Sequence, residues 1–83
     1  MSLSLTRGEN EEVKAVVGSN IKKCREERNM TKEEVAAKVG LTIPEYEKME
    51  SGTYEGLKVN VIARISSALH VSFGNLTEGT SNI

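Results

Sequence analysis

From about Glu11 the chain takes on a helical rhythm. Val13, Val17, Ile21, Cys24 and Arg28 recur at three- and four-residue steps, with Lys22, Lys23, Glu26 and Glu27 on the opposite face. Gly18 interrupts this stripe at ~1 kcal/mol relative to alanine and reads as a bend or a later true start. Asn29 ends the helix. Thr31-Lys32-Glu33-Glu34 is a capping box, in which the Thr31 hydroxyl accepts from the Glu34 amide and the Glu34 carboxylate reaches back. A short helix over Lys32–Val39 follows, and Gly40 stops it. Only Leu41 then precedes a second box, Thr42-Ile43-Pro44-Glu45. Proline is tolerated in a first turn whose amides lack intrahelical partners, so a third helix is predicted from Ile43 to Glu50, ended by Gly52.

Ser51–Leu57 reads as a loop. Lys58–His70 returns to helix, with Val61, Ile62, Ile65, Ala68 and Leu69 in one stripe. Ser72-Phe73-Gly74-Asn75 predicts a last short turn that brings Phe73 and Leu76 onto the core or a partner. Met1–Asn10 is polar and without period, hence a flexible arm (1–10) ahead of a domain over 11–76; 77–83 reads as a frayed tail.

Composition narrows what such a helical chain does. At 83 residues there is room for one core and no second lobe, because a chain of this size buries only ~60–65% of its unfolded surface. Formal charge is −1, which excludes a strongly basic domain that coats nucleic acid indiscriminately. Residues 20–64 nevertheless hold nine lysines and arginines against eight glutamates, so this core is net +1. The lone Cys24, on the apolar stripe, pairs with no second cysteine; beside the lone His70 it makes a poor metal site. Neither an apolar leader nor a membrane span is read, so the expected setting is reducing and cytoplasmic. Phosphate-binding glycine loops, paired catalytic acids and metal-ligand spacings are missing, and no enzymatic activity, cofactor, metal or small-molecule ligand is expected.

The informative stretch is 32–51: two capped helices joined by a tight glycine turn, with Ala36 small where the helices approach. Val35, Val39, Leu41, Tyr46 and Met49 are apolar where the pair meets the core; Tyr46 is expected to pack with its hydroxyl at the rim. That is a helix-turn-helix. The ordered text Ile21-Lys22-Lys23-Cys24-Arg25, Met30-Thr31-Lys32-Glu33-Glu34-Val35-Ala36, Val39-Gly40-Leu41-Thr42 and Met49-Glu50-Ser51-Gly52, closing with Ile65, Ala68, Leu69, Val71 and Ser72, resembles the Cro and lambda-repressor (XRE-type) helix-turn-helix family.

The resemblance implies an all-α, compact five-helix domain whose third helix enters the major groove of double-stranded DNA. By position, Ile43, Pro44, Glu47 and Lys48 would face base edges. Lys32 would meet a phosphate, Thr42 (also the N-cap) a phosphate or a thymine methyl, and Thr53, Tyr54 and Lys58 the opposite backbone strand. It further implies an ion pair between Arg25 and Glu50. The chain departs from the family in having Lys32 where glutamine is usual and three carboxylates on the reading helix. Glu45 is the reciprocal cap of Thr42 and Glu50 belongs to Arg25, which leaves Glu47 toward the groove. The expected function is a transcriptional regulator acting as a homodimer through Val71, Phe73 and Leu76. The alternative is a protein-binding adaptor or antitoxin on the same fold. Tyr54, in a polar loop with nothing obvious to pack against, divides evenly between a contact role and simple exposure.

Overall fold

The computed structural model describes residues 7–80, with side chains from Glu11 onward. Five helices follow in order: α1 (Arg7–Glu27), α2 (Lys32–Val39), α3 (Ile43–Ser51), α4 (Val59–Leu69) and α5 (Phe73–Thr77). There is no strand among the described residues. One core joins all five helices: Val17, Ile21 and Cys24 of α1 meet Val35, Ala36 and Val39 of α2 and Tyr46 and Met49 of α3. Ile62, Ile65 and Leu69 of α4 and Leu76 of α5 complete it. Each such fully buried aliphatic contributes ~1.5–3 kcal/mol, which is what holds helices as short as α2 and α5 in place.

Several expectations change once the helices pack. α1 begins at Arg7, so residues 7–10, assigned above to the arm, belong to the helix. A glutamate-rich stretch suits the first turns of a helix, where amides and dipole favour negative charge. The remainder of the arm, 1–6, lies outside the described residues, as do 81–83. Gly18 is not a helix start: α1 runs through it. Its missing side chain is a packing requirement, because a Cβ there would lie 2.3 Å from the Met49 carbonyl oxygen and 2.8 Å from that of Glu50. The end of α3 therefore lies directly on the α1 backbone.

The tail is likewise tied down as far as Thr80. The Asn20 amide of α1 donates to the Leu76 and Glu78 carbonyls, both at 2.9 Å, and the Thr80 amide reaches the Thr77 carbonyl at 3.0 Å. Of the apolar residues expected to meet a second copy, Leu76 is 0% exposed and Val71 packs against the core, while Phe73 keeps 39% of its surface. The short α5 serves to close the core. Tyr54 also packs against it, and a Cβ at Gly56 would come within 2.8 Å of its ring. Glycine lets the loop fold that ring inward.

Candidate nucleic-acid interface

Local chemistry sets the angle between α2 and α3. Thr31 Oγ1 accepts from the Glu34 amide at 3.1 Å while Glu34 Oε1 accepts from the Thr31 amide at 2.7 Å. The same reciprocal pair recurs at Thr42 and Glu45, at 3.2 and 2.9 Å. Between the boxes, Gly40 takes a left-handed conformation (φ 77°) and the Leu41 amide returns to the Ala36 carbonyl at 3.0 Å. A stop at Gly40 and a start at Thr42, with only Leu41 between them, leave little freedom in the turn.

A second device fixes α3 against α1. Arg25 Nε donates to Glu50 Oε2 at 2.6 Å and Nη2 to Glu50 Oε1 at 3.2 Å, a fork-to-fork pair, and Nη1 donates to the Met30 carbonyl at 2.9 Å. The side chains are 10% and 5% exposed, so water does not replace either partner if the other is lost. The Glu50 hydrogen bond raises the Arg25 pKa further above its already high value, against the opposing effect of burial. Tyr46 lies beside this pair. Its ring is 0% exposed and its hydroxyl is buried without a hydrogen-bond partner, so the rim position expected for it is corrected. Burial first, and the Glu50 carboxylate second, push its ionisation well above the ordinary tyrosine range.

With Tyr46 and Met49 facing inward, α3 turns Ile43, Pro44, Glu47 and Lys48 toward solvent. Ile43 is 40% exposed, a large apolar side chain left at the start of the helix. Thr42 is exposed while its hydroxyl caps the helix. Lys32, expected at a phosphate, has its ammonium 3.7 Å from the Glu47 carboxylate. Both side chains are about half exposed, and such pairs contribute ~0–1 kcal/mol. The pair bridges the start of α2 and the outer face of α3.

Past α3, the Thr53 amide donates to the Lys48 carbonyl at 2.9 Å, and Thr53 Oγ1 lies 3.0 Å from Ser51 Oγ. Ser51 thus joins the hydroxyls on this side of the molecule, a residue the helix boundary had hidden: α3 extends one residue beyond Glu50. Tyr54 is half-buried and Lys58 exposed. Lys58 is the N-cap of α4, whose first turn has no acid and no side-chain cap. At α2 and α3, by contrast, the first turn carries acid, and Glu34 and Glu45 bond back to the N-cap amides. Across the loop Lys14 reaches Glu55 at 3.4 Å.

No group of His, Cys, Asp and Glu among the described residues could hold a metal ion, and no described helix is long and apolar enough to cross a membrane. Cys24 is buried, and His70 ends α4 in a left-handed conformation with φ 58°.

The helix-turn-helix family profile matches residues 21–76, from the middle of α1 through Leu76. YqaE of Bacillus subtilis (strain 168), an uncharacterized HTH-type transcriptional regulator, is 38% identical over 63 residues. That is 76% of this chain but 53% of YqaE, so the chain spans about half the length of that relative. The crystal structure of a hypothetical transcription factor, NHTF, from Neisseria superposes with a TM-score of 0.73 at 21% identity, covering 92% of this chain and 86% of that one. The capped α2–turn–α3 unit, its anchoring to α1 and the matched span together show that the chain belongs to the XRE-type helix-turn-helix family.

Proposed function

We propose that the chain is a sequence-specific DNA-binding transcriptional regulator that lays α3 in the major groove and acts as a homodimer. The observation that carries this reading is the division of α3. Tyr46 and Met49 are fully buried and Glu50 is held by Arg25, while Ile43, Pro44, Glu47 and Lys48 form an outward face with no structural duty to the core. A helix fits the major groove, about 12 Å wide, and its outward side chains reach base edges there. Lys48 supplies a donor, Glu47 an acceptor, and Ile43 with Pro44 an apolar surface for a thymine methyl.

Flanking groups suit the phosphate backbone. Thr42 stands at the N-cap of α3, Thr53 just past its C-cap and Lys58 at the N-cap of α4, whose open N-terminus adds free amides; Tyr54, half-buried, has only part of its surface for such a contact. Lys48 and Lys58 form no ion pair among the described residues. So few free cations give one domain modest affinity. Two domains on half-sites ~34 Å apart raise it without any new contact. With Leu76 in the core and Val71 half-buried against it, Phe73 is what α5 offers such a contact.

The test is titration of the protein with a random duplex pool at 50 and 200 mM salt, followed by selection of bound sequences. The reading expects a few-fold to many-fold loss of affinity on raising salt, and enrichment of a two-fold-related site. Affinity indifferent to salt, with no sequence enriched, would overturn it. The protein-binding adaptor on the same fold would then stand.

A further inference from the structure

Of the three carboxylates on α3, Glu45 closes the cap at the Thr42 amide and Glu50 holds Arg25. Glu47 remains, and its partner is the Lys32 ammonium at 3.7 Å. This pair brings together two residues that the sequence assigned separate tasks, one at a base and one at a phosphate. Resting on the reading of α3 as a groove helix, we infer that Lys32 and Glu47 work as one base-reading unit that selects a C·G pair, and that Lys32 is not a phosphate clamp.

Three observations carry this. The unit has no net charge, so a phosphate oxygen approaching Lys32 meets the Glu47 carboxylate at similar range, and attraction and repulsion nearly cancel. The first turn of α2 adds Glu33 and Glu34, and the Glu34 carboxylate sits on the Thr31 amide, so a phosphate brought to this helix N-terminus meets two further carboxylates that oppose it. Finally, the side chains are 41% and 52% exposed and bridge α2 to the outer face of α3, so on the groove reading a donor and an acceptor are offered side by side to a base pair.

A C·G pair matches that arrangement. Its major-groove edge sets the cytosine amino donor next to the guanine O6 and N7 acceptors. Donor and O6 are separated by one Watson–Crick hydrogen bond, about 2.9 Å, and the Lys32–Glu47 pair at 3.7 Å presents its two groups in the same side-by-side order. The carboxylate accepts from the cytosine and the ammonium reaches both guanine acceptors. On an A·T pair the donor lies between two single acceptors, one crowded by the thymine methyl, and the ammonium gains only one of them.

The experiment takes the site selected by the wild-type chain and changes its C·G pairs one at a time to T·A. Wild type, Lys32→Met, Glu47→Gln and the double variant are titrated against each duplex over a range of salt. Both side chains are surface groups, so the variants keep the fold, which circular dichroism verifies. One C·G pair should matter to wild type by about 5- to 150-fold, with each single variant and the double variant losing that same preference. Lys32→Met should keep the wild-type salt slope. A slope reduced by ~1 with all duplexes weakened alike would make Lys32 a phosphate clamp and overturn the inference. So would an unchanged base preference in Glu47→Gln, or an A·T pair at the coupled position. A wild-type chain that enriches no sequence overturns the groove reading itself, and is thereby told apart from failure of the pair alone.

Discussion

Replacing Gly18 with alanine sets two effects of opposite sign against each other. In an isolated helix the change stabilises by ~1 kcal/mol, since glycine is the poorer helix former. Here the new methyl carbon would lie 2.3 Å from the Met49 carbonyl oxygen and 2.8 Å from that of Glu50. Ordinary contact begins at about 3.4 Å, so α3 must recede from α1 by roughly 1 Å. The obstructing atoms are backbone, and cannot rotate aside as a side chain would. They also belong to the helix end that carries Glu50, whose 2.6 Å bond to Arg25 stretches with any such shift. Overpacking costs ~1–3 kcal/mol, and a backbone clash falls at the upper end, so the net effect is destabilisation by ~2 kcal/mol. For a domain of this size that lowers Tm by ~8–16 °C. Thermal unfolding followed by far-ultraviolet circular dichroism measures it, with Gly74→Ala in α5 as control. There the nearest atom is Ser72 Oγ at 3.8 Å, and propensity alone predicts a small rise. A Gly18→Ala protein melting at or above the wild type would refute the close approach of α3 to α1.

Glu50→Ala should lower unfolding free energy in urea by ~3–5 kcal/mol, because Arg25 is left charged and buried; the double change Arg25→Met, Glu50→Leu should recover most of the loss. A cost below ~1 kcal/mol for the single variant would show the pair to be solvated. Thr31→Ala and Thr42→Ala should each cost ~1 kcal/mol by removing one side of a capping box, and their effects in melting experiments should add closely unless the turn couples them. Tyr46→Phe should be neutral or stabilising at pH 7, since the deleted hydroxyl has no partner. Above pH ~10 the unfolded chain ionises at this residue while the folded one keeps the proton, so wild-type stability falls as pH rises, by up to ~1.4 kcal/mol per unit. Tyr46→Phe should lack that part of the slope when stabilities are compared between pH 9 and 11.5.

What could be read in advance follows from how local each determinant is. The limits of α2 and the start of α3 depend on Thr31, Thr42 and the glutamates three residues on, with Gly40 between them, so a few neighbouring residues suffice. Gly18 was misread because its reason, the backbone of α3, arrives from more than 30 residues away. The tail through Thr80 has the same explanation: its anchor, Asn20, is 56 residues from Leu76 in sequence. α5 has too few residues for periodicity to reveal which face it buries, so pattern alone does not separate Leu76 from Phe73. Tyr54 looked exposed because the ring packs through a loop turn at Gly56, which hydrophobic patterning does not register.

The Lys32–Glu47 contact was hidden for a different reason, and it alters the electrostatic argument most. Each residue is placed on its own helix by pattern alone, but their meeting depends on the rotation of α2 relative to α3, which the capped turn at Gly40 sets. Counting charges along residues 20–64 gives a near-neutral balance and suggests weak DNA binding everywhere. If the pair holds at the DNA as inferred above, Lys32 contributes little to the non-specific attraction, and the unpaired cations on the proposed interface reduce to Lys48 and Lys58. A protein so arranged gains little from phosphates and must take its preference for one site over another from base edges. Near-neutrality then favours discrimination, because non-specific affinity, which depends on released counterions, falls faster than the base-reading contribution that carries no net charge.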